Sequence, residues 1–244
     1  MSIWEFANPT RFVRLVDKCL APTAVLSAML LAVGLVWGLF LTPDDYVQGS
    51  AVKIIFVHVP SALMAINIWI MMLVASMVWL VRRHRVSVLA AKSAAPVGAV
   101  MALAALLSGG IWGQPMWGTW WAWDPRLTSF LLLFLCYLGY MALWHEIEDK
   151  ERAADLTSIL CMVGSVFAFL SRYAVNFWQQ GLHQGASLSL DRESNVHNAY
   201  YIPLLVCMAG FAFLFIALVL LRTRTEIREQ HAAVLAARLN SDVS

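Results

Sequence analysis

The sequence predicts an all-α integral membrane protein with six transmembrane helices. Two observations carry this prediction. Hydrophobic residues make up 61% of the 244 residues while charged residues make up only 13%, and the uncharged residues form long continuous runs. A helix needs about 20 predominantly apolar residues to cross a hydrocarbon core of about 30 Å, and six runs in this chain have roughly that length or more.

The six runs form one predicted membrane domain that covers residues 1–244. We expect spans at residues 22–41, 54–81, 94–112, 127–144, 156–177 and 201–221. The second run is long for a single crossing, so we expect it to tilt or to extend past the bilayer. Two larger connections, residues 113–126 and 178–200, then lie on the same side of the membrane.

Lysine and arginine residues are divided unevenly between the two sides of these spans. Cytoplasmic loops of membrane proteins carry an excess of both residues. If the N-terminus is inside, all but four of the 17 basic residues fall in the cytoplasm. The four on or near the outer face are Lys53, Arg126, Arg172 and Arg192. We therefore expect both termini to be cytoplasmic and the two larger connections to be periplasmic.

The apolar runs carry almost no ionisable side chains near their centres. Such residues usually mark an ion or proton path, so the sequence argues against a proton-coupled or sodium-coupled transporter. No GxxxxGK[ST] phosphate loop is present, and any ATP-driven step would therefore belong to a partner chain. The informative residues lie in the two outer connections, where we expect the functional surface.

The first outer connection is rich in tryptophan. Residues 117–129 read WGTWWAWDPRLTS, and five of the eleven tryptophans fall within residues 112–123. Four side chains have the spacing of one helix face: Trp117, Trp120, Trp121 and Asp124. Three residues that disfavour helix would end the third span before that face: Gly113, Pro115 and Gly118. We expect a short amphipathic helix on the periplasmic membrane surface, whose tryptophans form a platform for a large planar ligand; an ordinary interfacial aromatic belt is the alternative.

Three further residues follow the tryptophans. Asp124 as an N-cap and Pro125 at the first helical position are typical of a helix start, here of the fourth span, although Asp124 could also contact a ligand. Arg126 lies beside the predicted platform. Its guanidinium could pair with a ligand carboxylate or, equally, with a lipid phosphate.

Three of the six histidines lie near the predicted outer face. They are His58 in IIFVHVPSA, His183 in GLHQGAS and His197 in SNVHNAYY. Iron in a porphyrin takes axial ligands above and below the ring, and histidines from two different segments can supply them. His58 on a span could pair with either histidine of the second outer connection, and the residues alone do not choose between these two.

The tryptophan segment carries a family resemblance. WGTWWAWD resembles the tryptophan-rich (WWD) motif of the heme-handling membrane proteins of cytochrome c biogenesis, and PRLTS is similar to the branch called heme exporter protein C, or CcmC. The segments IIFVHVPSA, APVGAV, GQPMWGTWW and LHQG extend the resemblance over most of the chain.

This resemblance implies a heme chaperone of the bacterial inner membrane rather than an enzyme. It implies that His58 and His183 are the axial iron ligands of one heme b on the periplasmic side. The other heme-binding residues would be Trp117, Trp120, Trp121, Trp123, Asp124 and Arg126. The implied partners are the periplasmic heme carrier CcmE, the membrane complex of CcmA, CcmB and CcmD, and membrane lipid; no nucleic acid is implied.

Three other functions compete with this interpretation. A heme-containing quinol oxidoreductase would favour histidine pairs at two depths of the membrane, whereas plausible ligands occur here on the outer side only. A permease could move heme or another solute along the apolar helices. An interaction subunit without a cofactor could use its tryptophans as a protein interface.

Overall fold

The computed structural model describes residues 8–177 and 196–243. Its elements are α1 (Pro9–Val36), a π-helical extension of α1 (Trp37–Leu41), a 3-10 helix (Ser50–Ile54), α2 (Ile55–Arg82), α3 (Arg85–Trp117), α4 (Pro125–Glu146), α5 (Lys150–Phe177) and α6 (Asn198–Val243). Within these described residues, six helices are long and apolar enough to cross a membrane. The predicted all-α, six-span membrane fold is confirmed.

The helices extend beyond the predicted spans. α3 continues past both ends of the predicted 94–112 span. α6 continues from the predicted end at residue 221 to Val243, further than one bilayer crossing requires. The apolar runs therefore predicted the position of each span but not the ends of each helix. A helix can continue into polar sequence as long as its backbone hydrogen bonds continue.

The centre of the bundle is built on one pair of buried aromatic rings. Trp69 of α2 and Tyr137 of α4 meet edge to face, with ring centroids 4.7 Å apart. The Trp69 indole donates to the carbonyl of Cys161 in α5 at 3.1 Å, and the Tyr137 hydroxyl donates to the carbonyl of Ala65 at 2.7 Å. These contacts tie α2, α4 and α5 together, while α3 packs along α2.

α1 packs chiefly on α6, and α6 in turn packs on α2 and α3. Contacts at the end that carries the tryptophan segment join this pair to the start of α2. A Cβ atom at Gly38, in the π-helical extension, would lie 2.5 Å from the ring of Phe56. The Tyr200 hydroxyl at the start of α6 donates to the carbonyl of Pro43 at 3.2 Å. Phe56 and Tyr200 belong to one buried apolar cluster, which holds the first turns of α2 in place.

Ion pairs connect the helices at the opposite end. Asp17 of α1 lies 2.8 Å from the Arg224 guanidinium and 3.1 Å from that of Arg228. Lys92 of α3 pairs with Glu226 of α6 at 2.5 Å. The predicted orientation assigns this end to the cytoplasm, and that assignment stays a prediction from the lysine and arginine distribution.

Candidate functional site

His58 lies in the first turns of α2 and faces α3. Its side chain is half-buried, and its Nδ1 atom is 3.0 Å from the hydroxyl oxygen of Ser108. A Cβ atom at Gly109 would lie 2.9 Å from the Cε1 atom of His58, so the imidazole packs directly on the α3 backbone. Glycine at this position leaves the room that the ring occupies.

Trp112 covers another side of the same imidazole. The two rings meet edge to face, with centroids 5.7 Å apart and an interplanar angle of 78°. The Trp112 indole donates to the side-chain oxygen of Gln48 at 2.9 Å. Gln48 lies just before the 3-10 helix. His58 is therefore held by a connected set of side chains rather than projecting alone from its helix.

The predicted amphipathic helix at the tryptophan segment is wrong. α3 continues through Gly113 and Pro115 to Trp117 and ends at Gly118, whose φ of +75° suits glycine. The following residues up to position 124 form no helix. Asp124 already has the extended conformation of a helix cap, so the interval between the two caps is too short to accommodate a separate helix.

The tryptophan segment turns back towards α3 instead. The hydroxyl of Thr119 donates to the carbonyl of Trp121 at 2.8 Å and closes a tight turn. A Cβ atom at Gly110 would lie 3.2 Å from the carbonyl oxygen of Trp120. The segment therefore approaches α3 next to Gly109, the residue on which the His58 ring packs.

The indoles of this segment differ in exposure. Trp120 and Trp123 are 63% and 79% exposed. Trp121 is more covered and meets Trp123 edge to face at a centroid distance of 5.6 Å. Trp117 lies against Gly113, where a Cβ atom would be 2.9 Å from the indole. The predicted concentration of indole surface is present, but a folded loop and the end of α3 produce it, not one helix face.

The predicted helix start at Asp124 is confirmed. Its carboxylate accepts the backbone N–H of Leu127 at 2.6 Å, its side chain is buried, and Pro125 is the first residue of α4. Arg126 follows in the first turn of α4, half-buried. Asp124 and Arg172 of α5 both lie within electrostatic range of the Arg126 guanidinium.

Of the two histidines in the second outer connection, only His197 lies within the described residues. His183, the predicted partner of His58, lies outside the described residues. His197 is exposed, and its Nδ1 atom accepts the backbone N–H of Ala199 at 3.3 Å at the start of α6. That bond is typical of a side chain at a helix N-terminus.

Sequence reasoning missed Ser108 and Gly109, which contact the His58 ring, and Gln48, which bonds the Trp112 indole. Ser108 and Gly109 stand inside an apolar span and look like ordinary small packing residues. Only their nearness to His58 in space distinguishes them.

Comparison with known proteins identifies the family. Residues 2–238 match the family described as heme exporter protein C. Heme exporter protein C of Paracoccus denitrificans is 65% identical over 240 residues, which cover 98% of this chain and 99% of that protein. The protein of the same name from Rhodobacter capsulatus is 60% identical, with 98% of each chain covered. That of Escherichia coli is 38% identical, with 93% of this chain and 91% of that protein covered. The chain therefore belongs to the heme exporter protein C family.

Proposed function

We propose that this chain is a heme-handling membrane protein of cytochrome c maturation and not an enzyme. It binds one heme b at the periplasmic end of the bundle and presents it to the heme carrier CcmE. The observation that carries the proposal is the placement of His58. A half-buried imidazole is held against α3 beside Trp112, and the tryptophan segment returns to the neighbouring backbone at Gly110.

The residue types of His58, the tryptophan segment and the start of α4 fit a heme. An imidazole nitrogen is a common axial ligand of heme iron. Trp120, Trp121 and Trp123 offer flat apolar surface that suits a porphyrin. The Arg126 guanidinium can pair with a propionate, and Arg172 nearby adds positive charge. The carboxylate of Asp124, the N-cap of α4, attracts the Arg126 guanidinium electrostatically.

His183 is proposed as the second iron ligand. The support is the family membership together with the LHQG segment in which it stands. A ligand on a connection between spans moves more readily than one on a packed helix. In this proposal His58 and Trp112 keep their places, while His183 releases first when the heme is passed on.

The proposed setting follows from the family and the six spans. The chain lies in the bacterial inner membrane with its tryptophan segment in the periplasm, and it works with CcmA, CcmB and CcmD. Since the chain has no phosphate loop, ATP hydrolysis is assigned to the partners.

An absorption spectrum of the detergent-purified protein tests the proposal. It is recorded for the wild type and for the His58→Ala, His183→Ala and His197→Ala variants. A six-coordinate heme spectrum that is lost or altered in the first two variants and kept in the third is expected. Well-folded wild type that binds no added hemin would overturn heme binding, and a spectrum that depends on His197 would overturn the choice of His183.

A transport assay separates this proposal from the permease. The chain alone is placed in vesicles that enclose a heme-binding reporter protein, and hemin is added outside. Presentation to a carrier predicts that the reporter stays unloaded. Loading that depends on this chain would favour the permease instead.

A further inference from the structure

We propose that Ser108 is a positioning residue for His58: its hydroxyl sets the imidazole tautomer, so that Nε2 is the nitrogen presented to iron. This inference deepens the proposed function and rests on it. It is carried by the hydrogen-bond geometry of Ser108, which is buried in α3 with 8% of its surface exposed.

The Ser108 hydroxyl donates its proton to backbone carbonyl oxygens of α3. Its Oγ atom lies 2.6 Å from the carbonyl oxygen of Ala104 and 3.3 Å from that of Ala105. A carbonyl oxygen carries no hydrogen, so two oxygens 2.6 Å apart must share the hydroxyl proton. Ser108 therefore donates to the backbone of its own helix.

The hydroxyl oxygen is then an acceptor towards His58. Its distance of 3.0 Å from Nδ1 is normal for an N–H···O hydrogen bond, so Nδ1 carries the hydrogen and donates it to Ser108. A neutral imidazole has one protonated and one unprotonated nitrogen. Nε2 is then the nitrogen with the lone pair, which is the form that a metal requires.

The same bond fixes the direction of the ring. Gly109 and Trp112 restrict its position from two other sides. Rotation of the ring by half a turn would break the bond between Nδ1 and Ser108. Metal-bound histidines usually donate their second ring N–H to a polar partner in this way.

A tautomer measurement on the heme-free protein tests the inference without involving heme. The full chain is labelled with 15N-histidine and studied at mildly alkaline pH, where imidazole is neutral. The His58 signal is assigned by its absence in a His58→Gln variant. We expect Nδ1–H in the wild type and in Ser108→Thr, and a shift towards Nε2–H in Ser108→Ala. An unchanged tautomer in Ser108→Ala would overturn the inference.

Hemin titration of the same proteins provides the second readout. We expect Ser108→Ala to bind hemin about 10- to 100-fold more weakly, the usual cost of losing such a partner, and Ser108→Thr to retain most of the affinity. Ser129→Ala is the matched control, since Ser129 is also buried in a helix and also donates at 2.6 Å to the carbonyl four residues earlier. Equal losses in Ser108→Ala and Ser129→Ala would assign the effect to helix packing and overturn the inference.

The two proposals fail in different ways. Wild type that shows the Nδ1–H tautomer but binds no hemin would refute the proposed function and leave the hydrogen-bond assignment intact. Hemin binding that needs His58 but is unchanged in Ser108→Ala would leave the proposed function intact and refute the role of Ser108.

Discussion

Replacement of Gly109 by alanine is expected to weaken heme binding without unfolding the protein. The new Cβ atom would lie 2.9 Å from Cε1, 3.5 Å from Nδ1 and 3.9 Å from Nε2 of His58. Carbon atoms in contact prefer separations of about 3.5–4.0 Å. The imidazole must therefore move by roughly 0.5–1 Å, because the backbone of α3 is held along α2 and cannot retreat. Such a shift strains the bond to Ser108 and the edge contact with Trp112.

The expected effect on the free energy of unfolding is small because two terms oppose each other. Alanine is more favourable than glycine inside a helix by about 1 kcal/mol. A ring forced away from its preferred rotamer costs about 0.5–1.5 kcal/mol. The net change is therefore expected to stay within about 1 kcal/mol in either direction. Heme affinity has no such compensation, since an iron ligand displaced by a fraction of an ångström loses bonding geometry directly.

Hemin titration and thermal unfolding of the detergent-purified variants measure the two quantities side by side. We expect Gly109→Ala to bind hemin about 10- to 100-fold more weakly, comparable to losing an outer-shell partner, with little change in melting temperature. Gly139→Ala is the control, because the nearest atom to its new Cβ lies 3.6 Å away in Leu160. Unchanged affinity in Gly109→Ala would refute the placement of His58 against α3. Equal weakening in Gly139→Ala would show that helix glycines matter for another reason.

Substitutions at three other positions test the fold and the site. Asp124→Ala should lower the free energy of unfolding by about 0.5–2 kcal/mol through loss of the N-cap, whereas Asp124→Asn should keep both stability and heme; heme loss in a stable Asp124→Asn would instead make the carboxylate a ligand contact. Gly98→Ala should destabilise the protein by about 1–3 kcal/mol, because its Cβ would lie 2.3 Å from the Tyr137 ring, and a thermal melt as high as that of Gly139→Ala would contradict this. Arg126→Gln should weaken hemin binding about tenfold or more, since a hydrogen bond to a charged group contributes about 1.5–3 kcal/mol; unchanged affinity would favour lipid phosphate as the Arg126 partner.

The six crossings could be predicted because each depends on one property, the absence of charge over a bilayer-spanning length. The start of α4 could be predicted for a similar reason. Asp124 and Pro125 act through local backbone chemistry, which sequence displays directly.

The tryptophan segment could not be predicted in the same way. Its spacing fits a helix face, but Gly118 and Asp124 fix caps at both ends of the interval, and the chain between them turns back to Gly110. Helical spacing is necessary for a helix and does not establish one when the available length is too short. The segment is held against α3 by backbone contacts at Gly110 and Gly113, which periodicity does not report.

The two proposed iron ligands stand on different kinds of segment, His58 on a packed helix and His183 on a connection between helices. His58 is fixed by α3 through Ser108 and Trp112. The connection that carries His183 runs from α5 to α6. α5 is bonded to α2 through Trp69, while the start of α6 is bonded to Pro43 after α1. Both ends of the second connection therefore contact α2, since Tyr200 shares one buried cluster with Phe56. The hydrogen bond of His58 is made to α3 instead, and on this ground we propose that His58 retains the iron while His183 is exchanged for a group of the receiving protein.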